Sequence, residues 1–551
     1  MRTTPLVSRL ACAAIALALA VGALAVGAPT EARAATVAGA WRARVGISGV
    51  NGMATVQAPS SGAASISLQL LRLRPATTLA VTLRKGTCGT PGALLLQLPS
   101  IRTSSTGAGI RTIRLPSTQV STVRAALKGT GKVAFRVGTG STAKCGVLAP
   151  VVAQVGYLAR QGSDLSLGGK PFREISFDKF DLLHQYVVTA NGTWEHDLRH
   201  GVPAAETALR LLGANGFRVA RVNASPFYPS WFGDAFFDVD PAREAQKRRE
   251  YFAAFDQMLD ACDRHGIRIV ATLVWNPENL GDLGHHSLHE GLVDRRSLGR
   301  QRVEAYVREV VTRYRNRPTI AMWELGNEWN LVADIQFTNG PFAGDPAGDV
   351  NHPGPVVRDA RNNFTSDELS TYYAGMATLI RAVDGHHLVT TGDSSPRPSA
   401  MHLLRAARAA APVDWTPDSA DELAAYLRLV NPDPIDVISI HYYDDGMLAL
   451  GGRLGSPENL RFFARVAGEI GKPLFIGEIG LDAESWRYDT TTGLDLLRAT
   501  LAVLVELKVP LTLYWAFADD RQLGQGDASL RYGKTDEALG LIEAANAALR
   551  R

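Results

Sequence analysis

Along residues 37–155 apolar and polar positions alternate. Ile66, Leu68 and Leu70 keep a spacing of two, as do Leu79, Val81 and Leu83, Ile113 and Leu115, and Val133, Phe135 and Val137. That spacing buries one face of a strand and leaves the other in water. Clusters of Gly, Ser, Thr and Pro, such as Pro59–Gly62 and Ser104–Gly107, break the runs. Residues 35–155 are therefore expected to fold as a small all-β sandwich.

After Gly162–Gly169 the texture changes, and short apolar runs alternate with long amphipathic segments. The runs predict strands at Glu174–Phe180, Phe217–Asn223, Ile267–Trp275, Ile320–Leu325, His387–Thr391, Ile435–Ile440, Pro473–Gly477 and Pro510–Trp515. Helical spacing follows at Glu206–Gly213, Ala242–His265, Ser297–Arg315, Asp367–Val383, Asp421–Leu429, Pro457–Ile470, Gly493–Leu507 and Thr535–Arg550. Ser456-Pro457 and Ser366–Glu368 read as helix starts, and Gly213, Gly266 and Gly471 as stops. Strands and helices in strict alternation predict an α/β fold, a closed parallel (β/α)8 TIM barrel, over residues 156–551. An open doubly wound sheet would carry a Gly-rich phosphate loop after its first strand, and this chain has none there.

Charge sharpens the division. The net charge of +4 over 551 residues hides a split: residues 35–155 carry 14 Lys and Arg with no Asp or Glu, whereas residues 156–551 carry 41 basic and 53 acidic residues. A domain without carboxylates excludes a calcium site of its own. Its positive field suits an anionic surface, and an anionic cell-wall polymer is the expected partner. Trp41 and Phe135 are its only aromatic residues, too few to fill a core and also stack sugar rings. No nucleic acid is expected as a partner.

Arg2 and Arg9 precede an apolar run, Leu10–Val26, followed by Pro29 and Ala32-Arg33-Ala34. This order reads as a secretory signal over residues 1–34, cleaved after Ala34, and predicts a protein outside the cell. In an exported protein Cys88 and Cys145 can pair, and closing that loop would stabilise the domain by about 4 kcal/mol. Cys262 shares helical spacing with Tyr251, Phe255, Met258 and Leu259 and is expected to be a buried, inert thiol.

Reactive groups of such a barrel lie at the C-terminal ends of its strands. Those ends carry Asp178, Arg221, Trp275-Asn276, Asn327-Glu328, Asp393, His441–Tyr443, Glu478 and Trp515. Carboxylates, amides, an imidazole, a guanidinium and indoles on one rim suit a sugar. Glu328 and Glu478 follow the fourth and seventh strands, on opposite sides of the mouth. Glycoside cleavage needs such a pair, one acid for the leaving oxygen and one carboxylate to attack or to activate water.

Trp323-Glu-Leu-Gly-Asn-Glu-Trp329 resembles the Asn-Glu motif on the fourth strand of clan A glycoside hydrolases, and Leu474-Phe-Ile-Gly-Glu-Ile-Gly480 is similar to their seventh-strand nucleophile motif. The flavour is that of family 5, including endo-β-1,4-mannanases, and the resemblance covers about residues 168–551. It implies Glu328 as acid/base, Glu478 as nucleophile and Asn327 as partner of the substrate 2-hydroxyl. It further implies Arg221 as the arginine that keeps the nucleophile ionised, His441 and Tyr443 as the sixth-strand His-x-Tyr, and Trp515 as a sugar platform. Asp178 takes the place of a substrate-facing Asn. Trp275-Asn276 stands where many members carry a His, a departure that weakens a cellulase reading. Asn327, Arg221, His441, Tyr443, Trp515, Asp178, Trp275 and Asn276 are thus expected around the substrate.

Three classes remain open: a retaining endo-β-glycosidase on β-mannan or a β-glucan, a transglycosylase using the same pair, and a non-catalytic polysaccharide- or wall-binding protein. The chain is expected to be a monomer that needs neither cofactor nor metal. Glu324, within its strand, is expected to be structural. His285, His286, His289 and Glu290 lack the fixed helical pair of a zinc site and are expected in a loop. No Gly-x-Ser-x-Gly supports a serine elbow, and Gly533-Lys-Thr535 lacks the first Gly of a phosphate loop.

Overall fold

A computed structural model of the protein describes residues 36–45, 52–58, 64–70, 73–104, 107, 109–129, 131–152, 156–187, 201–227, 236–336, 339–341, 357–443, 457–480, 491–518, 529–533 and 535–550. The expected signal and Ser456 lie outside these residues. Among the described residues no helix is long and apolar enough to cross a membrane.

Among the described residues the acid-free segment is all-β but for the α-helix Ser117–Lys128 and a 3-10 turn at Gly140–Thr142. Its strands are β1 (Thr36–Arg44), β2 (Gly52–Gln57), β3 (Ala64–Leu70), β4 (Thr78–Gly86), β5 (Pro91–Arg102), β6 (Gly109–Leu115), β7 (Val133–Val137) and β8 (Lys144–Val152). They join in one sheet in the order β5-β4-β7-β8-β1-β2-β3-β6. The end strands approach each other: Arg111 donates to the Ser100 carbonyl at 2.7 Å, so the sheet curls over its own apolar face. The alternating residues Ile66, Leu68, Leu70, Val81, Leu83, Phe135 and Val137 fill that interior. The helix Ser117–Lys128 was not anticipated; Val120 and Val123, one turn apart, bury its inner side. Cys88 and Cys145 are joined, with Cα atoms 5.7 Å apart.

A short hairpin, β9 (Leu158–Gln161) and β10 (Asp164–Leu167) with β11 (Lys170–Pro171), leads into the barrel. The barrel strands are β12 (Glu174–Asp178), β13 (Val219–Asn223), β14 (Arg268–Thr272), β15 (Ile320–Glu324), then, after a small ribbon of β16 (Asn339–Pro341) and β17 (Val357–Asp359), β18 (Leu388–Thr390), β19 (Ile438–Tyr442), β20 (Leu474–Ile479) and β21 (Leu511–Tyr514). All eight run parallel in the order β18-β15-β14-β13-β12-β21-β20-β19. A bridge from Thr390 to Val437 closes the ring. Leu158, Leu165 and Phe172 pack under Val219, Leu388 and Leu511 at the strand starts, which plugs that end with hydrocarbon. Polar chemistry is left to the other end.

All the expected helices are present, and Asn279–Asp282, Leu288–Val293 and Ala400–Arg408 are additional. Gly266 and Gly471 end their helices in the left-handed conformation. Gly213 does not: its helix runs to Ala214, and a Cβ at 213 would stand 2.3 Å from the His265 carbonyl. It is glycine for close packing. Thr365, not Ser366, caps the helix Ser366–Arg381, in a capping box with Glu368.

Candidate active site

Arg221 lies within β13, every one of whose residues is buried, and its own side chain is wholly enclosed. Its Nε donates to Glu324 Oε1 at 2.6 Å, Nη1 to Glu478 Oε1 at 2.7 Å and more weakly to Asp178 Oδ1 at 3.5 Å, and Nη2 to Asn327 Oδ1 at 2.7 Å. Only a guanidinium offers donors in a planar fork wide enough for these acceptors. Burial opposes its charge, but Glu324, Asp178 and Glu478 outweigh that and raise its pKa. The Trp275 ring lies 5.0 Å from the guanidinium carbon. Burial also pushes the Asp178 carboxyl well up, with Arg221 pulling the other way.

Glu478 lies near the C-terminal end of β20, all of whose residues are buried. Arg221 holds one of its oxygens, and the Tyr443 hydroxyl donates to the other at 2.5 Å. Both oxygens of this carboxylate therefore have a donor within the site. His441 Nδ1 sits 2.9 Å from Glu328 Oε1 and 3.5 Å from Glu478 Oε1. One oxygen of each Glu and a ring nitrogen of His441 all lie within 4.8 Å of one another. Burial lowers the His441 pKa to about 4, so the ring is neutral at ordinary pH and can donate from Nδ1. Gly477 makes room for it: a Cβ there would come within 2.8 Å of His441 Nε2.

Glu328 adopts a left-handed backbone, φ 56°, which its N–H bond to the Gly392 carbonyl at 2.8 Å helps to hold. Such strain in a non-glycine residue persists where the surroundings over-determine it, often at reacting positions. The Glu328 side chain is 30% exposed and that of Glu478 7%, so Glu328 faces the mouth. Burial raises the Glu328 pKa against a Ser394 side-chain hydrogen bond and Arg221.

Sequence reasoning missed Ser394. Its backbone N–H donates to Asn330 Oδ1 at 2.9 Å, and Asn330 Nδ2 returns to its carbonyl at 2.9 Å, which fixes its hydroxyl beside Glu328. Only the adjacency of Asn330 to the Asn-Glu motif hinted at this. Tyr373 donates to Asp393 at 2.6 Å, and burial raises that carboxyl to about 7.

Asp178 and Arg221 are 0% exposed and His441 1%, the most enclosed of the expected set. Tyr443, Asn327, Asn276 and Trp515 are half-buried at the rim. Trp515 and Trp275 stand 6.4 Å apart, with Phe180 4.5 Å from Trp275, forming an aromatic wall. Glu324 is wholly buried between Arg221 and Thr272, in keeping with a structural role. His285 and His286 precede the helix Leu288–Val293, which carries His289 and Glu290 where a loop is expected, and the three His do not converge: His286 Nε2 accepts from Gly299 N–H, and His289 meets Glu368. Cys262 is buried, with its pKa raised by burial.

Glu478, with both oxygens held by donors, and Glu328, facing the mouth with its pKa raised, bring one oxygen each to within 4.8 Å. Retaining glycosidases hold their carboxyl groups about 5–5.5 Å apart and inverting ones about 6.5–9.5 Å.

Several known proteins are similar to this chain. The chain is 23% identical over 360 residues to mannan endo-1,4-beta-mannosidase 2 of Oryza sativa subsp. japonica, covering 60% of this chain and 68% of that one. It is 32% identical over 143 residues to the probable mannan endo-1,4-beta-mannosidase C of Aspergillus terreus, covering 25% of this chain and 31% of that one. A solved endo-1,4-beta-mannanase of Rhizomucor miehei aligns with 72% of this chain and 100% of its own, at 15% identity and a TM-score of 0.49. Residues 183–518 match the description Cellulase (glycosyl hydrolase family 5), a stretch that takes in both glutamates and most of the barrel. The chain is a glycoside hydrolase and belongs to glycosyl hydrolase family 5.

Proposed function

We propose that the protein is a secreted, retaining endo-β-glycosidase that cleaves β-mannan by double displacement. The observation that carries this is the approach of Glu328 and Glu478 to within 4.8 Å around His441. A Glu478 oxygen attacks the anomeric carbon as the bond to the leaving oxygen breaks, and Glu328 gives its proton to that oxygen. Glu328 then takes a proton from water, whose oxygen attacks the same carbon and releases Glu478. The two inversions restore the starting configuration. Arg221 and Tyr443 hold the two oxygens of Glu478 in place for the attack.

The lean to mannan rests on Trp275-Asn276 after the third strand and on the similarity to plant and fungal mannosidases. Export, inferred from Arg2–Ala34, would set the basic domain, with Arg74, Lys85, Arg102, Lys128, Lys132 and Lys144 exposed, against anionic wall polymers. The domain division near residue 155 belongs to the same reading.

NMR of the first product from mannan, cellulose, mixed-linkage glucan and xylan tests it. Mannan should be cut fastest, giving the β anomer; an α product, or cleavage of glucans with mannan untouched, overturns the mechanism or the substrate.

The pH profile should carry the signature of Glu328. The acid must be protonated, so kcat/KM on mannan falls as pH rises through its raised pKa. On the other side, activity falls as His441 gains a proton near pH 4. An activated aryl glycoside, whose leaving group needs no proton, should lose the alkaline limb of its glycosylation step and keep the acid one. Identical alkaline limbs on both substrates would remove Glu328 from the acid role.

A further inference from the structure

We propose that Trp415 is a stacking platform for a sugar ring of the substrate chain, on the leaving-group side of the cleft and away from the reacting bond. The proposal rests on the glycosidase reading above.

Trp415 is 53% exposed, whereas Trp41, Trp275, Trp323 and Trp329 are buried and Trp515 is half-buried; among the described residues no other aromatic side chain is so open. Trp pairs a large apolar face with a polar N–H and is enriched at interfaces. Its loop is firmly built. Asp414 Oδ1 accepts from Thr416 N–H at 2.9 Å, Gln336 Nε2 donates to the Ala411 carbonyl at 2.8 Å, and Asp418 N–H donates to the Pro398 carbonyl at 2.7 Å. The Asp418 carboxylate in turn accepts from the N–H groups of Met401 at 2.6 Å and His402 at 3.0 Å. The exposed ring is therefore carried on a braced backbone.

Topology places that ring. The helix Ala420–Val430 leads into β19, so its start, capped by Ser419, lies at the end of the barrel where the strands finish. The Arg397 guanidinium carbon lies 5.9 Å from the indole, and Arg397 Nη2 donates to the Leu331 carbonyl at 2.7 Å. Leu331 N–H donates to the Glu328 carbonyl at 3.0 Å. Indole, guanidinium and the turn after β15 thus step inward to the acid. Because Glu328 protonates the leaving oxygen, the departing part of the polymer passes on this side. The cation beside the indole braces the ring and leaves surface open to the C–H face of a sugar.

The test uses the full chain with Trp415→Ala and Trp415→Phe. On long β-mannan, Trp415→Ala should lower kcat/KM about 3- to 10-fold, mostly through KM, and Trp415→Phe should recover most of the loss. On an activated aryl β-mannobioside, whose chain ends at the leaving oxygen, both variants should match the parent. Equal losses on both substrates, or no loss on mannan, overturn the platform. Affinity electrophoresis through mannan, with the same substitutions in a Glu478→Gln background, reads the platform without turnover: Trp415→Ala should lose retardation. A parent that is retarded but cleaves no β-glycoside sinks the catalytic reading alone, and undiminished retardation of Trp415→Ala sinks the platform alone.

Discussion

Glu478→Gln is expected to lose turnover on polysaccharide by about four to six orders of magnitude, the range found when one member of a cooperating catalytic group is removed. The amide keeps the shape of the side chain, and its oxygen can still accept from Arg221 Nη1, now at 2.7 Å from Oε1. Fold and substrate binding should therefore persist while the nucleophile is gone. Glu328→Ala should fail differently. An activated aryl leaving group departs without a proton, so the covalent intermediate still forms, but no base activates water to release it. Azide, which needs no base, should enter the space left beside His441 and Ser394 and give a β-glycosyl azide. Rate assays, with mass spectrometry of the trapped intermediate, check both variants. Normal turnover on polysaccharide by the two of them would sink the assignment of the pair.

Arg221→Met is expected to cost about 3–5 kcal/mol of stability at neutral pH as well as activity, because it leaves buried carboxyl groups without their cation. Glu324 and Asp178 are 0% exposed and Glu478 5%. Methionine fills much of the volume, so the loss reads charge more than packing. The sign with pH is definite. Without the guanidinium the buried carboxyls are harder to ionise than in the unfolded chain, so stability is lost as pH rises and regained as it falls. The gap between parent and variant, from urea unfolding at pH 7 and pH 4.5, should narrow at the lower pH. Arg221→Lys should fall between them, since an ammonium lacks the fork that reaches Glu324, Glu478 and Asn327 together. A methionine variant as stable as the parent at pH 7 would contradict this account of the cluster.

Much of this molecule is written locally. A spacing of two, a helical spacing and a capping residue each concern a few neighbours, so the strands around Ile66–Leu70 and Val133–Val137 and the barrel's strand–helix alternation follow from the chain itself. The Glu328 and Glu478 motifs were equally legible, because each sits at the end of one short apolar run. The helix Ser117–Lys128 is less legible, because its buried side is only Val120 and Val123 and, Val120 apart, its first six residues are Ser, Thr and Gln, which also suit loops.

The tertiary structure alone decided how these pieces meet. Arg221 is 257 residues from Glu478, and His441 is 113 from Glu328; no local pattern encodes those distances. Closure of the ring between Thr390 and Val437 sets them, by bringing the ends of β15, β19 and β20 to one mouth. Depth is likewise a property of the closed barrel. Sequence placed Asp178, Arg221 and His441 at strand ends, but only packing shows how deeply they are enclosed, with Tyr443 and Trp515 nearer the water. Local chain chemistry chooses the elements and the reactive groups. Long-range packing chooses which groups touch, which keep their charge and which reach the substrate.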